Sequence, residues 1–198
     1  MRAIQSKKDR IGLFGGTFDP VHFGHLKIAL LAKKRFCLKK IIFIPSARPP
    51  HKMDAKLIAF KHRFKMISLA LKNKKGFYLS DIEFKRKNNP FTIDTVRYFK
   101  KTTKADIYFI AGADSLLDLT SWKDYKDLIK ECHFVVANRS EFPITRSKIP
   151  LNKISLLRNK DIDISSSTVR ERISKGLGIK RIVPDAVRIY IMKRGLYK

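Results

Sequence analysis

An α/β fold, with a doubly wound and mainly parallel sheet flanked by helices, is what this sequence predicts. Three observations carry that expectation. Short apolar runs alternate with longer stretches of helical periodicity along the whole chain. Runs such as "KIIFIP" (40–45) are apolar on both faces, as strands buried between two helix layers must be. Three runs end in residues that free the backbone or break the strand: Gly15–Gly16, Pro45–Ser46 and Gly112 with Asp114. In parallel sheets ligands lie outside the carboxyl ends of the strands, so these ends should face one crevice. The order is Rossmann-like, and the 198 residues suit a single domain, 1–198, whose helical portion from about 165 to 198 follows the sheet.

Each element has a local reason. "RIGLFGG" (10–16) is a short apolar strand. "HLKIALLAKKRF" (25–36) is a helix, with Leu26, Ala29, Leu30 and Phe36 near helical spacing. After the strand "KIIFIP" comes the loop "SARPPHKMDAK", and then a long helix over 57–72. "FYLSDIEF" (77–84) alternates as a strand does, and the polar "KRKNNP" closes it. A helix over 92–101 starts at Thr92, and "DIYFIAG" (106–112) is the next strand. "DYKDLIKE" gives a short helix, "HFVVANR" a strand, and "KISLL" and "DIDI" short extended pieces. Thr168 and Glu171 form a capping-box pattern in "SSTVRERISKG", a helix ending at Gly176. The last helix has Pro184 near its start and Gly195 at its end, the usual asymmetry.

Composition bounds the function. No run of about 18 apolar residues occurs, and "IGLFGG" is too short and glycine-rich for a secretory core, so a cytoplasmic protein with no membrane partner is expected. Cys37 and Cys132 form no CxxC and read as buried small hydrophobes. The formal charge is +27, from 44 Lys and Arg against 17 Asp and Glu. Nucleic-acid binding is one reading of that excess. Yet the lysines spread as pairs at 7–8, 33–34, 39–40, 74–75 and 100–101, with no basic tail or aromatic–basic RNA motif. Compositional drift gives the same pattern, so any nucleic-acid partner is expected to be non-specific. Either way the field favours small phosphorylated substrates.

The chemistry concentrates in "GGTFDPVHFGH", residues 15–25. Neither GxxxxGK[ST] nor GxGxxG is present, so this is not a P-loop or a dinucleotide fingerprint. Two histidines without a nearby Cys or His partner make a weak zinc site. Gly15 and Gly16 let the backbone approach a ligand closely. Pro20 stiffens the turn, and Gly24 and His25 open a helix whose unpaired N–H groups attract anions. His22 and His25, three residues apart, can both reach that anion. A second helix start, at Ser166 and Ser167, offers hydroxyls and first-turn amides, with Arg170 one turn on. Taken alone, that start is equally an ordinary capped helix.

The two motifs together carry a resemblance. "GGTFDPVHFGH" resembles the GxFxPxHxGH signature of the nucleotidyltransferase superfamily, whose HxGH is similar to the HIGH motif of class I aminoacyl-tRNA synthetases. "ISSSTVR" (164–170) resembles its ISSTxxR, with Ser167 where threonine is commoner. "IPSARPPHK", "NPFTIDT", "FIAGADSLLDLTSW" and "VPDAVRIYI…GLY" resemble nicotinate-nucleotide adenylyltransferases over about residues 10–197. "NPFT" departs from the usual "SYT" there, keeping Thr92. The resemblance implies adenylyl transfer from ATP to nicotinate mononucleotide, with Mg²⁺ carried by the ATP phosphates and no protein metal ligand.

By the same resemblance His22, His25 and Arg170 are catalytic, and Gly15, Gly16, Thr17, Phe18, Gly24, Gly112, Asp114, Ile164, Ser166 and Ser167 bind ATP. His51, Lys52, Thr92, Trp122 and Arg139 bind the acceptor. Trp122, the only tryptophan, is either a platform for the pyridine ring or a packing anchor. Lys52, in its proline-rich loop, is either a ligand or merely solvated. Phosphopantetheine, glycerol-3-phosphate and nicotinamide-mononucleotide transferases share HxGH and stand as alternatives, as does an RNA-binding module without turnover. Oligomers are compatible with the sequence.

Overall fold

A computed structural model of the chain describes residues 8–47, 57–86, 91–113, 115, 118–139, 149, 154–159 and 164–198. Six strands pair in the order β3-β2-β1-β4-β5-β6, all parallel. They are β1 (Arg10–Gly16), β2 (Lys40–Pro45), β3 (Phe77–Leu79), β4 (Asp106–Gly112), β5 (His133–Arg139) and β6 (Ser155–Asn159). The described helices are α1 (Phe23–Arg35), α2 (Phe60–Leu71), α3 (Ile82–Lys85), α4 (Thr92–Thr103), α5 (Tyr125–Glu131), α6 (Ser166–Ser174) and α7 (Asp185–Arg194). The predicted doubly wound, Rossmann-like sheet is therefore what forms.

The two faces of the sheet bury two separate cores, because side chains alternate along each strand. On one face Phe14, Phe43 and Ile110 pack with Ala29 of α1, Met66 of α2 and Val187 of α7. On the other, Leu13, Ile44 and Phe109 pack with Val96 of α4 and Leu128 of α5. Strand order reverses direction between β1 and β4, and Phe14 pairs with Ile110. Gly16 and Gly112 thus end neighbouring strands at the same edge, with α1 and α4 on opposite sides. This is the switch point at which doubly wound sheets bind ligands.

Some local expectations change. The run 77–84 is not one strand: β3 stops at Leu79, and α3 begins three residues later. Ser80 N–H still donates to Phe43 O at 2.9 Å, but the Ser80 hydroxyl then accepts from Ile82 N–H at 3.3 Å and turns the chain. The capping box predicted at Thr168 is displaced. Ser165 is the cap of α6, and its Oγ accepts from Thr168 N–H at 3.0 Å. Leu30 is exposed, because it lies on the far side of α1 from Ala29 and Ala32. Cys37 is exposed too, since it follows the end of α1 with a left-handed φ of 52°. Cys132, expected to be buried, is only partly so, and burial pushes its thiol up to about 12. The "DIDI" segment lies, up to residue 163, outside the described residues.

Candidate active site

The turn after β1 is shaped by close approach. A Cβ at Gly15 would meet the Phe109 ring at 2.7 Å, and one at Gly16 the Phe18 ring at 3.1 Å. Phe18 itself takes a left-handed φ of 51° and is buried. Asp19 and Pro20 are joined by a cis peptide bond. His22 then caps α1. Its ring is 1% exposed and lies against that of His25, with centroids 3.8 Å apart and planes at 31°. His25 is half-buried beside Phe18, at 4.9 Å between ring centres. Its Nδ1 accepts from His22 N–H at 3.3 Å. A neutral ring that accepts at Nδ1 carries its proton on Nε2. The sequence motif thus presents a fixed donor.

The second motif docks on the same turn. Ser166 Oγ donates to Pro20 O at 2.9 Å, and Arg170 Nη1 donates to Asp19 O at 2.7 Å, across 146 and 151 residues of chain. Ser165 Oγ lies 2.8 Å from Ser167 Oγ and 2.7 Å from Thr168 Oγ1, so this helix start is a cluster of hydroxyls. Gly24 and Ile164, with Phe23, Leu26 and Lys27, line a groove of ≈ 510 Å³ that is largely apolar.

Of the residues expected to bind the acceptor, Thr92 and Trp122 fall on the other side. Thr92 is the first residue of α4, whose Ile93 and Val96 belong to the opposite core. Trp122 sits edge-on to Phe109 and Phe134, each 6.2 Å away, so it packs on that core. Its indole Nε1 is buried without a hydrogen-bond partner among the described residues. Arg139 closes β5 at the same edge of the sheet, though its side chain lies outside the description. His51, Lys52 and Asp114 also lie outside the described residues.

Four residues at the turn escaped the sequence reading. Ser165, not Ser166, is the cap. Asp19 and Arg63 are both 2% exposed, and Tyr197 Oη donates to Asp19 Oδ1 at 2.6 Å. Arg63 had a legible signal: it occupies the apolar stripe of α2 with Met66, Ile67 and Ala70. A charge on such a stripe needs partners, and Arg63 Nη1 donates to Thr17 O at 2.9 Å. Away from the turn, Glu83 of α3 is half-buried. Burial raises its carboxyl to about 7, against a backbone hydrogen bond from Ala47 and the charges of Arg63 and Arg86.

Among the described residues no group of three or more His, Cys, Asp and Glu could hold a metal ion. The donors at the turn, an imidazole, hydroxyls and a guanidinium, suit anionic oxygens.

Known proteins bear on this arrangement. The Cytidylyltransferase-like family model matches residues 13–172. A Moorella thermoacetica protein named "Probable nicotinate-nucleotide adenylyltransferase" is 38% identical over 98% of this chain and 94% of its own length. A Thermoanaerobacter protein of the same name is 41% identical over 96% and 94%. Among solved structures, Plasmodium falciparum nicotinic acid mononucleotide adenylyltransferase, complexed with APC or with NaAD, superposes with a TM-score of 0.77. That likeness covers 96% of this chain and 97% of the other at 24% identity, and concerns the fold.

Proposed function

The chain belongs to the nicotinate-nucleotide adenylyltransferases within the cytidylyltransferase-like family, and from that premise we infer that it joins ATP to nicotinate mononucleotide, giving nicotinate adenine dinucleotide and pyrophosphate in NAD synthesis. The observation that carries the reading is the docking of the Ser165–Arg170 helix start onto the His22–His25 turn. Two helix N-termini, each favourable to negative charge, are held side by side by those bonds.

The chemistry needs no protein nucleophile, because the acceptor's phosphate is already an anion. It attacks the α-phosphorus of ATP in line, and pyrophosphate departs with the bonding pair. The protein's part is positioning and neutralising developing charge. His25, its proton on Nε2, is proposed to donate to the α-phosphoryl oxygens. The Ser165–Ser167 hydroxyls and Arg170 are proposed to hold the departing β- and γ-phosphates. Mg²⁺ carried by those phosphates would supply further neutralisation; the imidazole, hydroxyl and guanidinium donors fit a triphosphate that brings its own cation. Adenine is assigned to the apolar groove at Gly24 and Ile164. A cytoplasmic location, where ATP is plentiful, goes with this role.

The acceptor is assigned to the opposite side, near Thr92, Trp122 and Arg139, with His51 and Lys52 as further candidates. The acid is expected over the amide. A nicotinamide N–H₂ facing donors leaves buried polar groups unpaired. The test is pyrophosphate release with Mg-ATP and each mononucleotide at matched low concentration. Nicotinate mononucleotide should win by about 10²-fold or more. Equal rates would reduce the reading to a mononucleotide adenylyltransferase of either base. Turnover only with phosphopantetheine would overturn it.

A further inference from the structure

Polar side chains that the reaction above does not use meet at the turn of residues 17–20. Arg63 reaches it from α2, with Nη1 on Thr17 O at 2.9 Å and Nε on Ile58 O at 3.1 Å. Tyr197, after α7, donates its phenol proton to Asp19 Oδ1 at 2.6 Å. The other oxygen of that carboxylate, Oδ2, is buried with no partner among the described residues. Burial draws the Arg63 guanidinium below its ordinary range, with Asp19's charge opposing. Burial first, then Asp19's charge and hydrogen bond, drives the Tyr197 phenol well above its ordinary range, so it remains a donor.

These anchors fix direction. In a trans peptide the C=O and the following N–H point opposite ways. Holding Thr17 O towards Arg63 therefore turns Phe18 N–H away from it. Holding Pro20 O towards Ser166 does the same for Val21 N–H. For stability alone the arrangement is poor, since a buried carboxylate with one hydrogen bond costs more than apolar packing there would. Directional bonds aim the turn in a way that apolar contact cannot.

We infer that Tyr197, acting through Asp19 together with Arg63, is a positioning residue for adenylyl transfer: it holds residues 17–20 so that the turn and the His22–His25 pair face the triphosphate. The inference rests on the function proposed above and adds residues from outside both motifs. The cluster sits on the ATP side of the sheet, so its effect falls on ATP and not on the acceptor.

The test uses the full chain with Tyr197→Phe, which keeps the ring and removes only the hydroxyl, and Arg63→Lys, which keeps the charge but cannot serve both carbonyls. Steady-state constants for both substrates, Mg-ATP affinity by calorimetry and unfolding midpoints are measured. A hydrogen bond to a charged group is worth enough that kcat/KM for ATP should fall about tenfold in each variant. KM for nicotinate mononucleotide should stay within about twofold, and the double variant should lose less than the product of the two, as groups on one turn do. Wild-type ATP constants in Tyr197→Phe, or a rise in KM as large for nicotinate mononucleotide as for ATP, overturn the inference. If Tyr197→Phe does not fold, Arg63→Lys decides on the same criteria. Absence of turnover by the wild-type chain would sink the proposed function instead, while the calorimetric comparison would still judge the cluster.

Discussion

The two helix starts of the site use one electrostatic device in two different media. α1 begins at a buried imidazole, and its first amide, Phe23 N–H, is already given to Ile182 O at 3.0 Å. The rings of Phe14 and Phe18 flank His25. α6 begins at hydroxyls, with Ser167 and Thr168 exposed. A donor among aromatic rings acts at low dielectric, where it is strong and cannot rearrange. Hydroxyls in contact with water are weaker and adaptable. The difference teaches a division of labour. The α1 start suits charge that appears only in the transition state. The α6 start suits oxygens that are anionic throughout, as those of pyrophosphate are.

Four variants break or sharpen that division. His25→Ala removes the fixed donor of the buried start, and turnover should fall by about 10² or more with Mg-ATP affinity little changed. Single-turnover rates and calorimetry separate the two quantities. A loss of affinity equal to the loss in rate would put α1 in the same class as α6. Arg170→Lys probes the exposed start. Lysine cannot both hold Asp19 O and present a planar fork, so kcat/KM for ATP should drop about tenfold, mostly through KM. A pure kcat effect would reverse the assignment.

The contrast extends to pH. Glu83, within reach of Arg63's charge, holds its proton up to about 7, whereas exposed Glu171 in α6 is lowered by its hydrogen bond from Lys175. Between the unfolded carboxylate's ordinary value and about 7, the folded chain binds a proton that the unfolded chain does not. Stability should therefore fall as pH rises through that window and level off above it. Glu83→Gln should flatten the fall by about 1 kcal/mol, allowing for partial exposure. Chemical denaturation at pH 5 and pH 8 measures it, and an unchanged slope would remove Glu83 from the account. The smallest effect is expected at the cap: Ser165→Ala should cost about 1 kcal/mol or less of stability, because Thr168 N–H loses one partner to water. A larger drop in the unfolding midpoint would mean that the hydroxyl cluster carries structure as well as ligand.

By itself the sequence determined the parallel α/β architecture, the glycine-lined turn, and the pairing of an HxGH stretch with a serine-capped helix. These were legible because each is written in adjacent residues: strand and helix periodicity, paired glycines at a strand end, hydroxyls before an amphipathic run. It misjudged places where neighbours outvote local pattern. "FYLSDIEF" alternates like a strand over its whole length, yet the Ser80 hydroxyl redirects the chain after Leu79. Leu30 has helical spacing but faces away from the sheet. Only the tertiary structure decided that the His25 turn packs with one core while Trp122 and the start of α4 pack with the other, because that depends on where strand order reverses. Only it brought Arg63, Ser166, Arg170 and Tyr197 to residues 17–20, across 46 to 178 residues of chain. Hydrogen bonds are indifferent to sequence separation. A buried carbonyl takes whichever donor the fold delivers, and no local pattern records which one that is.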